Sequence, residues 1–214
     1  MQQKVYTYYE KVAHKDDSEQ MQMIYHWRTS WSARGWFPVV LNRSDAEKHP
    51  FFREFSEAVL RLPTVNAVDY EMACYHRWLA VAAAGGGFMS DYDVINYSYE
   101  ARQPPADLTI HEIHVGYQTA TPALVSGTPY GYLSMCLFFA TCKVDEVCSQ
   151  IGSTKTTSDM FVIQKCHDRM SYNTSNDVIE YGDNGWDTAS LVHYCSDKTR
   201  NTDRLTCLKT ARSI

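Results

Sequence analysis

Three consecutive glycines, Gly85-Gly86-Gly87, follow an alanine-rich stretch and precede a short apolar run that ends in Asp91-Tyr92-Asp93. Glycine tolerates backbone conformations closed to other residues, so a triplet there stops a helix and starts a new element. The residues from Asn66 to Ala84 carry helical spacing, with Asn66 and Asp69 as a candidate cap, and Phe88-Met89-Ser90 reads as a strand. That helix-to-strand step is half of a βαβ unit and constrains the rest of the chain.

The preceding residues supply the other half. Val5 to Glu10 reads as a first strand. Asp17 with Gln20 signals a helix start, Met23, Ile24, Trp27 and Trp31 recur at helical spacing, and Gly35 is the stop. Trp36 to Leu41 predicts a second, buried strand, and His49-Pro50 opens a helix striped by Phe52, Phe55, Val59 and Leu62. Alternating strands and helices predict an α/β protein with a central, mostly parallel mixed sheet flanked by helices. Ligands of such sheets bind outside the carboxyl ends of the strands, where Asp91 and Asp93 fall.

The second half is less regular. Thr109 to Val115 alternates like a strand, Tyr132 to Thr141 reads as a buried helix, and Ser126-Gly127-Thr128-Pro129 reads as a turn. Val178 to Tyr181 and Leu191 to Cys195 read as strands around the turn Gly182-Asp183-Asn184-Gly185, and Asp203 to Arg212 as a closing helix. The 214 residues form one domain, 1–97 as a ligand-binding half and 98–214 as a second half carrying a late strand.

A formal charge of −5 with no basic run argues against nucleic acid as a partner. The longest apolar stretch, Trp78 to Met89, is too short for a membrane span. Seven cysteines without a C-x-x-C pair argue against a zinc cage and for reduced thiols, hence a cytoplasmic chain. His111-Glu112-Ile113-His114 lacks the zincin spacing, because its histidines stand three apart in a strand-like run.

Paired carboxylates are what hard divalent cations such as Mn²⁺ or Mg²⁺ take alongside substrate phosphates. Arg77-Trp78-Leu79-Ala80, the glycine triplet and Phe88-Met89-Ser90-Asp91-Tyr92-Asp93-Val94 together resemble the donor-binding signature of GT-A type glycosyltransferases. The nearest pattern is that of the group with clostridial glucosylating toxins and yeast mannosyltransferases. The chain departs from it in one extra glycine, in Ser90 for an aliphatic residue, and in Cys74 one turn before the arginine. A second segment, Gly185 to Tyr194, resembles the late strand that brings the superfamily's metal-binding histidine, here His193.

The resemblance implies the GT-A (nucleotide-diphospho-sugar transferase) fold. It further implies metal-dependent transfer of a hexose from a UDP-sugar, UDP-glucose foremost, to a sugar or glycoprotein acceptor. Asp91, Asp93 and His193 would hold the metal, while Arg77 and Lys198 would meet the diphosphate with Asp91, Tyr92 and Asp93. Tyr6, Thr7 and Tyr8 would seat the base, and Asp159 would serve an inverting reaction as catalytic base. The compactness is also similar to glycosyltransferase domains of large algal DNA viruses (chloroviruses), which decorate capsid protein in the host cytoplasm. A nucleotidyltransferase on a related sheet and a non-catalytic nucleotide- or sugar-binding protein stay open as alternatives.

Overall fold

A computed structural model of the chain describes residues 2–11, 17–101, 113–115, 121–143, 145, 149–151, 154–167, 177–195 and 203–211. Among these, the first half runs β1 (Lys4–Tyr8), α1 (Ser18–Ser32), β2 (Phe37–Leu41), α2 (Arg43–Ala46), α3 (Phe52–Leu60), α4 (Val68–Ala83), β3 (Gly87–Ser90) and β4 (Val94–Asn96). The second half adds β5 (Ile113–Val115), β6 (Leu124–Gly127), α5 (Pro129–Thr141), β7 (Ser149–Ile151), β8 (Thr154–Thr156), α6 (Asp159–His167), β9 (Val178–Glu180), β10 (Leu191–His193) and α7 (Arg204–Thr210).

The main sheet has the order β2-β1-β3-β6-β5. β1 pairs in parallel with both β2 and β3, and β6 is antiparallel to β3 and to β5. The protein is therefore of mixed α/β class. The chain leaves β1 to one side for β2 and returns to its other side for β3. The winding thus reverses between β1 and β3, and their carboxyl ends flank a natural crevice.

Strand alternation divides the core between the two faces of the sheet. Tyr6, Tyr8, Met89 and Val125 pack with α3, α4 and α5 on one face. Val5, Phe88 and Leu124 pack on the other face with Trp27 and Trp31 of α1, Trp36, and the second sheet. That second sheet, β4-β10-β9, was not legible in the sequence. Its register sets His193 opposite Val94 and Leu191 opposite Asn96.

Several local expectations need correction. β2 is half-buried, with Phe37 exposed, because it is an edge strand. Asp17 precedes α1 without capping it; its carboxylate instead accepts from the Tyr9 hydroxyl and pairs with Lys11. Asn66 does not cap α4 but donates to the Glu71 carboxylate. Ser126 and Gly127 belong to β6 rather than a turn, and Thr128 caps α5, where Pro129 takes the first position. Of the expected strand from Thr109 to Val115, residues 113–115 form β5 and the rest lie outside the described residues.

The glycine triplet behaves as its composition requires. All three residues have positive φ, and a Cβ on Gly86 would lie 2.6 Å from the Pro129 nitrogen and 2.8 Å from the Gly127 carbonyl. This close approach seats the end of α4 against the start of α5.

Candidate metal centre

The turn Asp91–Asp93 leaves β3 at the crevice between β1 and β3. It is fixed by backbone bonds from Asp91 N to Ala123 O (2.8 Å) and from Val94 N to Asp91 O (3.1 Å). Ser90 has a structural reason to replace an aliphatic residue: it is buried, its Oγ accepts from Trp27 Nε1, and it donates to Asp91 O. Tyr194 N reaches Asp93 O at 2.9 Å, tying the end of β10 to the same turn.

That tie brings in His193. One ligand atom each from Asp91, Asp93 and His193 lies within 4.8 Å of the others. His193 Nε2 stands 3.4 Å from Asp93 Oδ1. Two carboxylates and an imidazole form a donor set suited to a divalent ion such as Mn²⁺ or Mg²⁺.

Two arginines orient the carboxylates. Arg77 Nη1 donates to Asp91 Oδ1 at 2.5 Å, and its Nη2 and Nε donate to Asp159 Oδ2 at 2.5 and 3.2 Å. Arg204, on α7, donates through Nη1 to Asp93 Oδ2 (3.0 Å) and through Nε to Glu19 Oε1 (2.9 Å) while lying over the Tyr92 ring. The carboxylates of Asp91, Asp93, Asp159 and Glu19 face the guanidiniums of Arg77 and Arg204. Among the described residues of this set, four carboxylates face two guanidiniums, with His193 as a third positive charge when protonated.

The burial tunes the groups apart. Burial raises the Asp91 carboxyl to about 6, with Arg77 opposing and Asp93 adding to the rise. Burial also works against ionised Asp93, but His193 and then Arg204 outweigh it and hold its carboxyl below the usual range. For His193, burial favours the neutral ring and the Asp93 charge overcomes it, raising its pKa.

The other expected residues fare differently. Asp159 opens α6, is buried, and its Oδ2 takes a third hydrogen bond from Trp78 Nε1. A carboxylate held this way anchors Arg77. Tyr6 and Tyr8 are core residues, their hydroxyls engaged with Ala84 O and Glu10, so neither offers an open ring for a base. Thr7 is fully buried on the opposite face. Among the rings beside the centre are Tyr92 and, packed edge to face on it at 6.3 Å, the half-buried Tyr9. Lys198, His111 and Glu112 lie outside the described residues, and His114 falls on the edge strand β5.

Sequence reasoning missed Arg204, Glu19, Trp78 and Tyr9. Asp203 carries a cap signal, and its side chain does accept from Thr206 N, but nothing local marks its neighbour as facing the centre. Cys74, Cys136 and Cys207 are thiols rather than half-cystines. No helix among the described residues is long and apolar enough to cross a membrane.

A family model described as a domain of unknown function (DUF8765) matches residues 1–103, a span that includes Arg77, Asp91 and Asp93 but not His193 or Arg204. No curated protein matches the chain.

Proposed function

We propose that the protein is a metal-dependent glycosyltransferase of the GT-A type. In this reading it moves a hexose from a UDP-sugar to a carbohydrate or glycoprotein acceptor. The observation that carries the reading is the convergence of Asp91, Asp93 and His193 at the β1/β3 crevice. The excess of carboxylates over guanidiniums in the described set and the strand-end location support it.

Asp93 and His193 would hold the ion directly, and Arg77 fixes the orientation of Asp91. A divalent ion at this set supplies Lewis-acid neutralisation of a departing diphosphate. Arg77 contributes fixed positive charge at the same edge, preorganised by Asp159. Trp78 locks Asp159 in turn. Tyr92, with Tyr9 packed against it, presents ring surface beside these groups, and the pair replaces Tyr6 and Tyr8 as contacts for the nucleoside.

Calorimetric titration of UDP, GDP and CMP, with and without Mn²⁺, tests the reading. Metal-dependent binding of UDP, lost in Asp93→Ala while the circular dichroism spectrum is kept, is the expected result. Absence of nucleotide binding under every condition would falsify it. Nucleotide binding with no sugar transfer or donor hydrolysis would favour a binding protein instead.

A further inference from the structure

On the far side of α4 from Arg77, a cavity of about 440 Å³ opens between α2, α3, α4 and the end of β1. Val68, Asp69, Met72 and His76 turn toward it, whereas Arg77 turns toward Asp91. One helix, roughly 10 Å across, separates the two sites. The cavity therefore has its own chemistry.

Its cations are already matched. Lys11 pairs with Asp17 at 3.3 Å, and Arg43 pairs with Glu47 at 3.0 Å and Glu10 at 3.9 Å. No lining cation is left to capture a phosphate or carboxylate among the described residues. Among the described residues no Phe, Tyr or Trp lines the cavity to give the stacking platform that a nucleobase usually finds. Leu60, Val68 and Met72 supply apolar wall, while Glu10, Glu57 and Asp69 supply carboxylate acceptors and Arg43 a donor fork.

A buried polar group completes the lining. His76 is 2% exposed; its Nε2 meets Ser56 Oγ at 2.9 Å, and its Nδ1 has no partner among the described residues. Buried polar atoms in native proteins are as a rule satisfied. Burial, with the charge of Arg43 behind it, pushes the His76 ring down to about 4 and keeps it neutral.

Apolar wall against C–H faces, acceptors and donors around it, cations already paired and room for one or two rings describe a neutral polyhydroxylated ligand. We propose that this cavity is a carbohydrate-binding site separate from the carboxylate centre. Its sugar contacts the Ser56–His76 pair at the base and the Glu57 and Asp69 carboxylates at the rim. The site stands whether or not the metal centre transfers a hexose.

Saturation-transfer NMR with glucose, galactose and mannose, and with uridine as counter-probe, tests it on the full chain. At least one sugar should receive saturation from the wild-type protein, and excess EDTA and Asp93→Ala should leave that signal unchanged. The double variant Glu57→Ala/Asp69→Ala changes exposed side chains only and should weaken the binding about tenfold or more. Four outcomes overturn the proposal: no transfer to any of the three sugars, equal binding in the double variant, a signal lost with EDTA or Asp93→Ala, or binding of uridine alone. The first two leave metal-dependent UDP binding untouched, so the two readings fail separately.

Discussion

His76 and Arg77 are neighbours in the chain and face opposite electrostatic surroundings. Arg77 is half-buried among opposite charges, bridging Asp91 and Asp159. His76 is more deeply buried and neutral, held by one serine and flanked by Phe52 and Phe55. A helix turns by about 100° per residue, so α4 works as a partition between the carboxylate centre and a cavity whose buried polar group, His76, is neutral. Carboxylates can be concentrated at the end of β3 because the helix behind it carries the counter-charge in Arg77.

The largest break in this contrast should come from Arg77→Ala. It strands the half-buried Asp91 and the buried Asp159 without their cation, and loss of one partner of a buried pair such as Arg77–Asp159 costs about 3–5 kcal/mol. Urea denaturation of the variant should show that loss as a lowered midpoint with an unchanged slope. A change within a few tenths of a kcal/mol, as at a surface pair, would mean the centre is solvated and the partition fails.

Ser56→Ala probes the neutral side. The imidazole then has no partner on either nitrogen among the described residues, and an unsatisfied buried polar group costs about 1–3 kcal/mol. The loss should be smaller than for Arg77→Ala and insensitive to salt. Equal losses for the two variants would erase the distinction between the faces.

The smallest effect is expected at Glu71, on the inner face of α4. It is 1% exposed, its Oε1 accepts from Asn66 and its Oε2 is unpartnered. Burial raises its carboxyl above the usual range, and the Asn66 hydrogen bond only partly offsets this. A raised acid binds its proton more tightly folded than unfolded. Folding is therefore favoured below the ordinary carboxylate range, and stability falls as pH rises from that range through the folded-state pKa. Glu71→Gln should accordingly raise the melting temperature at about pH 7 and leave it unchanged at about pH 4. A variant equally stabilised at both values would place the effect in packing instead.

The first half of the chain was legible because its signals are local. Trp27 and Trp31 at helical spacing, the stripe Phe52, Phe55 and Val59, and the glycine triplet are patterns within one element, and each formed the element it predicts. Asp91 and Asp93 were legible for the same reason, being two residues apart in one turn. Ser126-Gly127-Thr128-Pro129 misled because glycine and proline mark turns on average, whereas here pairing with β3 extends β6 through Gly127 and Pro129 begins a helix.

By itself the sequence determined an α/β alternation, a carboxylate pair at a strand end and an arginine on the helix before it. It also offered His193 as a partner, on resemblance alone. Only the tertiary structure decided that His193 aligns with Val94 and so stands beside Asp93, because strand register is a pairing between residues about a hundred positions apart. It also decided that Arg204 rather than a nearer residue reaches Asp93, that Asp159 anchors Arg77, and that Tyr6 and Tyr8 are spent on the core. Local propensity fixes which residues share a helix face or a turn, while burial and charge compensation depend on what the rest of the chain brings alongside.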